Sequence, residues 1–232
     1  MIFLSLISAH LLGDFILQPN SWIADKERCR LKSRYLYFHV LVITLLSFLF
    51  LWNLKLWPVA LAVGLLHFFT DAAKLSFQNV KNKKAWFFTD QALPIAVLAG
   101  ASWYLGEFRF GLLEKKALLT LPAAILFLTV PASVIIKILL SAWAPVPDTA
   151  NNLETESLSN AGKYIGILER LRVFTFIMVN HWEGAGFMVA ARSVFRFSDL
   201  AQAKQRKLTE YVLTGTLLSF GMAVLTGILI KQ

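Results

Sequence analysis

Apolar runs alternate with short polar connectors along this chain, at residues 1–18, 36–54, 56–73, 87–105, 117–143 and 208–230. A helix needs roughly 20 mostly apolar residues to cross the hydrocarbon core of a bilayer, and the runs have about that length. DKERCRLKSR, SFQNVKNKK, GEFRFGLLEKK and PVPDTANNLETESLSNAG are among the connectors. The pattern predicts an all-α fold, a polytopic transmembrane helix bundle of about six spans. Pro122 and Pro131 lie inside the run 117–143 and predict kinks rather than an end, because neighbouring helices in a bundle satisfy freed carbonyls. Two modules follow: residues 1–110 hold four spans, and residues 111–232 hold the rest.

Residues 163–197 are apolar in the middle and basic at both ends, which fits either one more span or a re-entrant hairpin. Lys and Arg accumulate on the cytoplasmic side of spans, so their distribution separates the two. A hairpin with both termini outside puts 17 basic residues inside and five outside, whereas a seventh span at 173–191 gives 13 and nine. The hairpin gives the larger bias. Its arms are expected at 173–182 and 187–195, with the turn at Glu183-Gly184-Ala185-Gly186, where two glycines permit a tight reversal. The seven-span arrangement remains the alternative.

Composition agrees with a membrane protein: 57% of residues are hydrophobic and 16% charged, with a mean hydropathy of +0.60. The formal charge of +9 sits in clusters between apolar runs and not in an aromatic-basic module, so nucleic acid is not the expected partner. The partner is the lipid bilayer, with a homo-oligomer open. Cys29, the single cysteine, excludes an intrachain disulfide and reads as a surface thiol. The N-terminal run lacks a basic n-region and is interrupted by His and Asp, so it is expected to stay as the first helix. Trp52, Trp57, Trp86, Trp103 and Trp143 fall near span ends, as an interfacial belt does.

Within these runs a few ionisable residues recur at helical spacing. His10, Asp14 and Gln18 lie on one face of the first span, and His67, Asp71 and Lys74 repeat the pattern in the third. The second and fourth spans contribute His39 and Asp90-Gln91 just after entry. Counting inward at 1.5 Å per residue puts Asp14, His39, Asp71 and Asp90 about 3–6 Å deep, and His10 and His67 about 9–12 Å deep. Ionisable groups within spans are costly and usually mark pathways or sites. Lys74 and Gln18 sit at helix ends, where snorkelling is the plainer explanation. Three aspartates against Lys74 leave two negative charges, which a divalent cation would balance; otherwise protons must. Imidazole with carboxylate suits Zn²⁺, Mn²⁺ or Fe²⁺.

The motifs HLLGDFILQ, a basic loop, His39, HFFTDAAK and FFTDQ resemble a bacterial membrane-protein family, domain of unknown function 3307, over roughly residues 5–100. The segments GKYIGILERLRVF, GFMVAARSVFRF and RKLTEYVLTGTLLSFG resemble the C-terminal extension of many members. The resemblance implies a bacterial cytoplasmic-membrane location and the site residues above. One departure stands out: the family's DQ is typically followed three residues later by His, and here that position is Pro94, with His181 a candidate replacement.

The expected activity is a metal-dependent membrane hydrolase acting on a lipid-linked substrate. His10, Asp14, His67 and Asp71 would hold the metal, and Asp90 or Glu183 would serve as general base. Lys74, Gln18, Gln91 and His39 would contact the substrate, with Lys74 suited to an anionic headgroup. A transporter or permease coupled to protons or a metal ion is the alternative, and an accessory or sensor subunit a further one. A sealed outer side favours the enzyme, and a polar path continuing outward favours transport.

Overall fold

The computed structural model of the protein describes residues 2–79, 81–106, 117–143, 152–203 and 206–231. The expected module boundary at 110–111 and the basic residues Arg109, Lys115, Lys116 and Lys204 lie outside the described residues. Among the described residues the regular structure is helical, with no strands: α1 (Ile2–Phe15), α2 (Asn20–Cys29), α3 (Arg34–Leu51), α4 (Trp57–Phe77), α5 (Lys83–Tyr104), α6 (Ala117–Leu128), α7 (Val130–Leu139), α8 (Asn152–Met178), α9 (Trp182–Ala203) and α10 (Arg206–Lys231). The chain divides into two compact units, Met1–Ala123 and Ala124–Gln232.

Four segments are long and apolar enough to cross a membrane: Arg34–Leu51, Leu54–Phe77, Leu119–Leu139 and Glu210–Lys231. The first apolar run departs from the expected straight span. It stops at Phe15, and after Pro19 the chain resumes as α2, with Ile2–Phe15 and Asn20–Lys32 bent by 79°. Taken as one broken span, this pair makes a fifth. The run expected at 87–105 does form a helix, α5, but Thr89-Asp90-Gln91 and Pro94 lower its apolar character, and it is not among the four.

In the first unit, α1 packs on α3, α3 on α4, α4 on α5, and α5 back on α1, closing a ring of four helices. Two glycines let the ring draw tight. A Cβ on Gly64 would overlap Thr44 Oγ1 across the α3–α4 seam, and one on Gly13 would overlap Ile43 Cδ1 across the α1–α3 seam. Leu6, Ile43, Val63 and Leu98, one from each helix, meet in the centre, each 6% exposed or less. Ile2, Phe3, Ile7 and Leu51 pack around them.

In the second unit, the apolar run at 117–143 breaks at Thr129, because Pro131 in the first turn of α7 has no N–H to continue the ladder. Arg170 of α8 fills that break. Its Nε donates to Leu128 O at 2.7 Å, and its terminal nitrogens donate to Thr129 O at 3.1 Å, Ser133 Oγ at 2.5 Å and Ser219 Oγ at 3.0 Å.

The hairpin region also differs from expectation. A continuous helix through 173–191 does not form: α8 ends at Met178 and α9 begins at Trp182, with Asn180 left-handed at φ 66°. Asn is one of the few non-glycine residues that adopt that conformation readily, and the reversal falls at 179–181 and not at Glu183–Gly186. Gly184 and Gly186 lie inside α9, where Gly184 lets the Phe176 ring come close.

Candidate metal centre

HLLGDF in α1 and HFFTDA in α4 each place a histidine and an aspartate one turn apart, and the closed ring points both pairs inward. The apolar layer lies one turn from this cluster. Leu6 precedes His10 by four residues, Val63 precedes His67 by four, and Ile43 follows His39 by four. The cluster therefore occupies the α2 end of the bundle, with the hydrocarbon layer between it and the end that carries Trp52, Trp57 and Trp103.

Asp14 is the centre of the cluster. Its Oδ1 lies 3.3 Å from His39 Nε2, 3.5 Å from His67 Nε2 and 3.8 Å from His10 Nδ1. Its Oδ2 accepts a 3.2 Å hydrogen bond from Gln91 Nε2. His39 Nε2 and His67 Nε2 stand 3.0 Å apart. Two imidazole nitrogens so close need either a proton between them or a cation that both face. All three rings are buried, at 1–2% exposure. His10 Nε2, His39 Nδ1, His67 Nδ1 and Asp14 Oδ1 are buried without a hydrogen-bond partner, so the cluster keeps unspent donor and acceptor capacity.

The distances test the fit of an ion. A point equidistant from His39 Nε2, His67 Nε2 and Asp14 Oδ1 is about 1.9 Å from each, so an ion at the roughly 2.0–2.1 Å of Zn–N and Zn–O bonds stands just off their plane. Two overlapping groups are positioned to hold a metal: His10, Asp14 and His67, and His39, His67 and Asp71. The sequence reading placed His39 against substrate; the structure brings it among the candidate ligands.

Two ion pairs flank the imidazoles. Lys74 Nζ holds Asp90 Oδ2 at 2.6 Å, and Lys26 Nζ holds Asp71 Oδ2 at 2.7 Å. Asp90 Oδ1 is buried with no hydrogen-bond partner. Lys26 is the residue that sequence reasoning missed. It was counted with the loop cations, yet α2 folds across the end of the bundle and buries it to 5% exposure. Pro19 followed by an uninterrupted NSWIADKERC was the available signal for a separate short helix. Including Lys26 corrects the charge count: three carboxylates and two ammonium groups leave one net negative charge, not two, when the imidazoles are neutral.

Of the remaining expected residues, Gln18 lies just past α1, partly buried, with its Nε2 unpartnered. Glu183 belongs to the second unit, where it is exposed and pairs with His181 at 3.0 Å. Pro94 is buried and lines a cavity of about 10 Å³, room for about one water molecule, together with His10, His67, Thr70 and apolar residues of α4 and α5.

No curated protein and no solved structure matches the chain. Residues 2–110 match a family model described as protein of unknown function (DUF3307). That match spans all four helices of the ring, together with α2, and every residue of the His/Asp cluster, so the N-terminal region of this chain is similar to the DUF3307 family.

Proposed function

We propose that the protein is a metal-dependent hydrolase of the bacterial cytoplasmic membrane, acting on a lipid-linked ester or phosphate reached from the cytoplasmic leaflet. The observation that carries the reading is the triangle of His39 Nε2, His67 Nε2 and Asp14 Oδ1, three buried donors around a point at metal–ligand distance. His10 is the fourth ligand, from the adjacent turn of α1. A divalent ion added to a site of net charge −1 leaves one positive charge, suited to an anionic oxygen of substrate or of water. Such an ion lowers the pKa of bound water and polarises the bond to be cleaved.

The protein's own groups supply the rest. Asp90 is the general base, because its Oδ1 is buried and unpartnered while Lys74 fixes the other oxygen. Gln91 orients Asp14. Lys74 is the most exposed member of the two flanking ion pairs and so the first to meet an anionic substrate. The apolar layer of Leu6, Ile43, Val63 and Leu98 supports an enzyme over a transporter, since it interrupts any polar path toward the far end.

Full-length protein, produced with Zn²⁺, Mn²⁺ or Fe²⁺ and purified in mild detergent without chelator, tests the reading. Elemental analysis is expected to find about one ion per chain in the wild type and at least tenfold less in His39→Ala/His67→Ala and in Asp14→Asn. Loaded wild type is expected to hydrolyse chromogenic phosphate or carboxylate esters, and Asp90→Asn to lose that activity while keeping the metal. A metal-free wild type refutes the metal centre. Metal uptake into proteoliposomes without ester hydrolysis refutes the enzyme in favour of transport.

A further inference from the structure

Among the described residues, Lys26 is the polar group of the cluster that comes from outside the four-helix ring. It is carried by α2, which crosses the end of the bundle at 79° to α1. The helix is pinned at its rim by Glu27, which pairs with Lys83 at 2.6 Å and accepts from Gln78 Nε2 at 3.3 Å. Trp22 stacks on Tyr35 at 5.3 Å, and Ile23 and Leu31 remain exposed. A short helix with charged and apolar sides, lying across a bundle end, has the form of an interfacial helix.

A buried ion pair roughly breaks even against an apolar pair of similar size, so Lys26–Asp71 is a poor device for merely closing the bundle. It is a good device for handing over a charge. Asp71 and Lys74 are three residues apart on α4, so they share a face and their Cβ atoms are about 5–6 Å apart. Lys26, held on Asp71, thus stands beside Lys74. Two ammonium groups from different helices belong to a site whose net charge rises from −1 to +1 when a divalent ion binds, and so suit a tetrahedral anion there.

The geometry points to a phosphate-binding site at the α2 end, with Lys26 and Lys74 as its anion-recognition residues and α2 as a cover. On binding, Lys26 passes from Asp71 to a phosphate oxygen, and the cover shifts with it. The ligand is a phosphate monoester, presented as a lipid headgroup or as a soluble phosphate. This inference rests on the metal-centre reading and names the substrate class of that site.

The test uses full-length detergent-purified protein loaded with Mn²⁺, with two probes: dihexanoyl phosphatidic acid and inorganic phosphate. Paramagnetic broadening of the ³¹P signal reports phosphorus close to the ion, which a merely structural lysine would not alter. Wild type is expected to broaden the signal saturably. Lys26→Met, and Lys26→Gln, which leaves Asp71 a neutral donor, should bind at least tenfold more weakly with Mn²⁺ content unchanged. Lys26→Arg should stay within about threefold of wild type. Tighter binding of phosphatidic acid than of inorganic phosphate identifies a headgroup, and equal binding a soluble ligand; both support the phosphate site. Wild-type affinity in both neutral variants, with full Mn²⁺, overturns it while the metal centre stands. Failure of wild type to retain Mn²⁺ or any other divalent ion overturns the metal centre, and this inference with it.

Discussion

Arg170 offers the sharpest test of how the second unit holds together. Replacing it with Met keeps much of the volume but removes a guanidinium that is 3% exposed and donates to Leu128 O, Thr129 O, Ser133 Oγ and Ser219 Oγ. Not all four losses count fully. Ser133 Oγ also donates to Thr129 O at 2.9 Å, so the hydroxyl and that carbonyl keep one another. The main loss is the 2.7 Å bond to Leu128 O beside the break, where hydrogen bonds to charged groups contribute about 1.5–3 kcal/mol. The weaker contacts raise the gross loss, and relief of the buried charge offsets part of it, leaving about 2–4 kcal/mol. Thermal unfolding in detergent should show the melting midpoint falling by roughly 5–15 °C for Arg170→Met. Arg170→Lys should recover less than half of that, since one ammonium cannot span acceptors that the planar fork reaches. An unchanged midpoint in Arg170→Met would refute the claim that this side chain secures the break.

Three further outcomes are expected. Gly64→Ala drives a Cβ into Thr44 Oγ1 and should destabilise the first unit by about 1–3 kcal/mol, with Thr44→Ala restoring most of it; additive losses in the double variant would count against a direct clash. The hydrogen bond from Ser33, aided by Arg28 and Cys29, holds the Asp25 carboxyl below its ordinary range. Its contribution to docking α2 is therefore complete above about pH 4 and lost as pH falls through the folded value, so amide-exchange protection of residues 20–33 should drop on acidification, and a flat profile would contradict this. In a Cys29→Ser background, cysteines introduced at Asn152 and Gln202 should label from the same side of the membrane; labelling from opposite sides would reverse the charge-based topology.

The His/Asp cluster was more legible than the backbone that carries it. Ionisable residues one turn apart in apolar runs have few reasons to exist, so His10, Asp14, His67 and Asp71 could be read directly from spacing. Lys26 could not, because a basic residue in a charged connector looks like any other until the chain turns back at Pro19 and buries it. The helix breaks divide in the same way. Proline chemistry foretold a kink near Pro131, whereas the turn at Asn180 was hidden by the nearby glycines, of which Gly184 admits the Phe176 ring. The carbonyl partner of Arg170 was illegible, because a hydrogen bond to backbone leaves no mark in the identity of the accepting residue.

The layer of Leu6, Ile43, Val63 and Leu98 also has an electrical meaning in a bilayer. Voltage drops where charge and water are excluded, so the field of an energised membrane concentrates across this hydrocarbon plug rather than across the imidazoles. Moving one charge through the full potential takes about 2.3 kcal/mol per 100 mV, and an ion binding on the near side of the plug crosses only a small part of it. Occupancy of the cluster would thus follow the composition of one aqueous compartment and stay nearly indifferent to the membrane potential. Substituting Val63 by Asp would place a charge in the insulating layer and make that occupancy voltage-dependent.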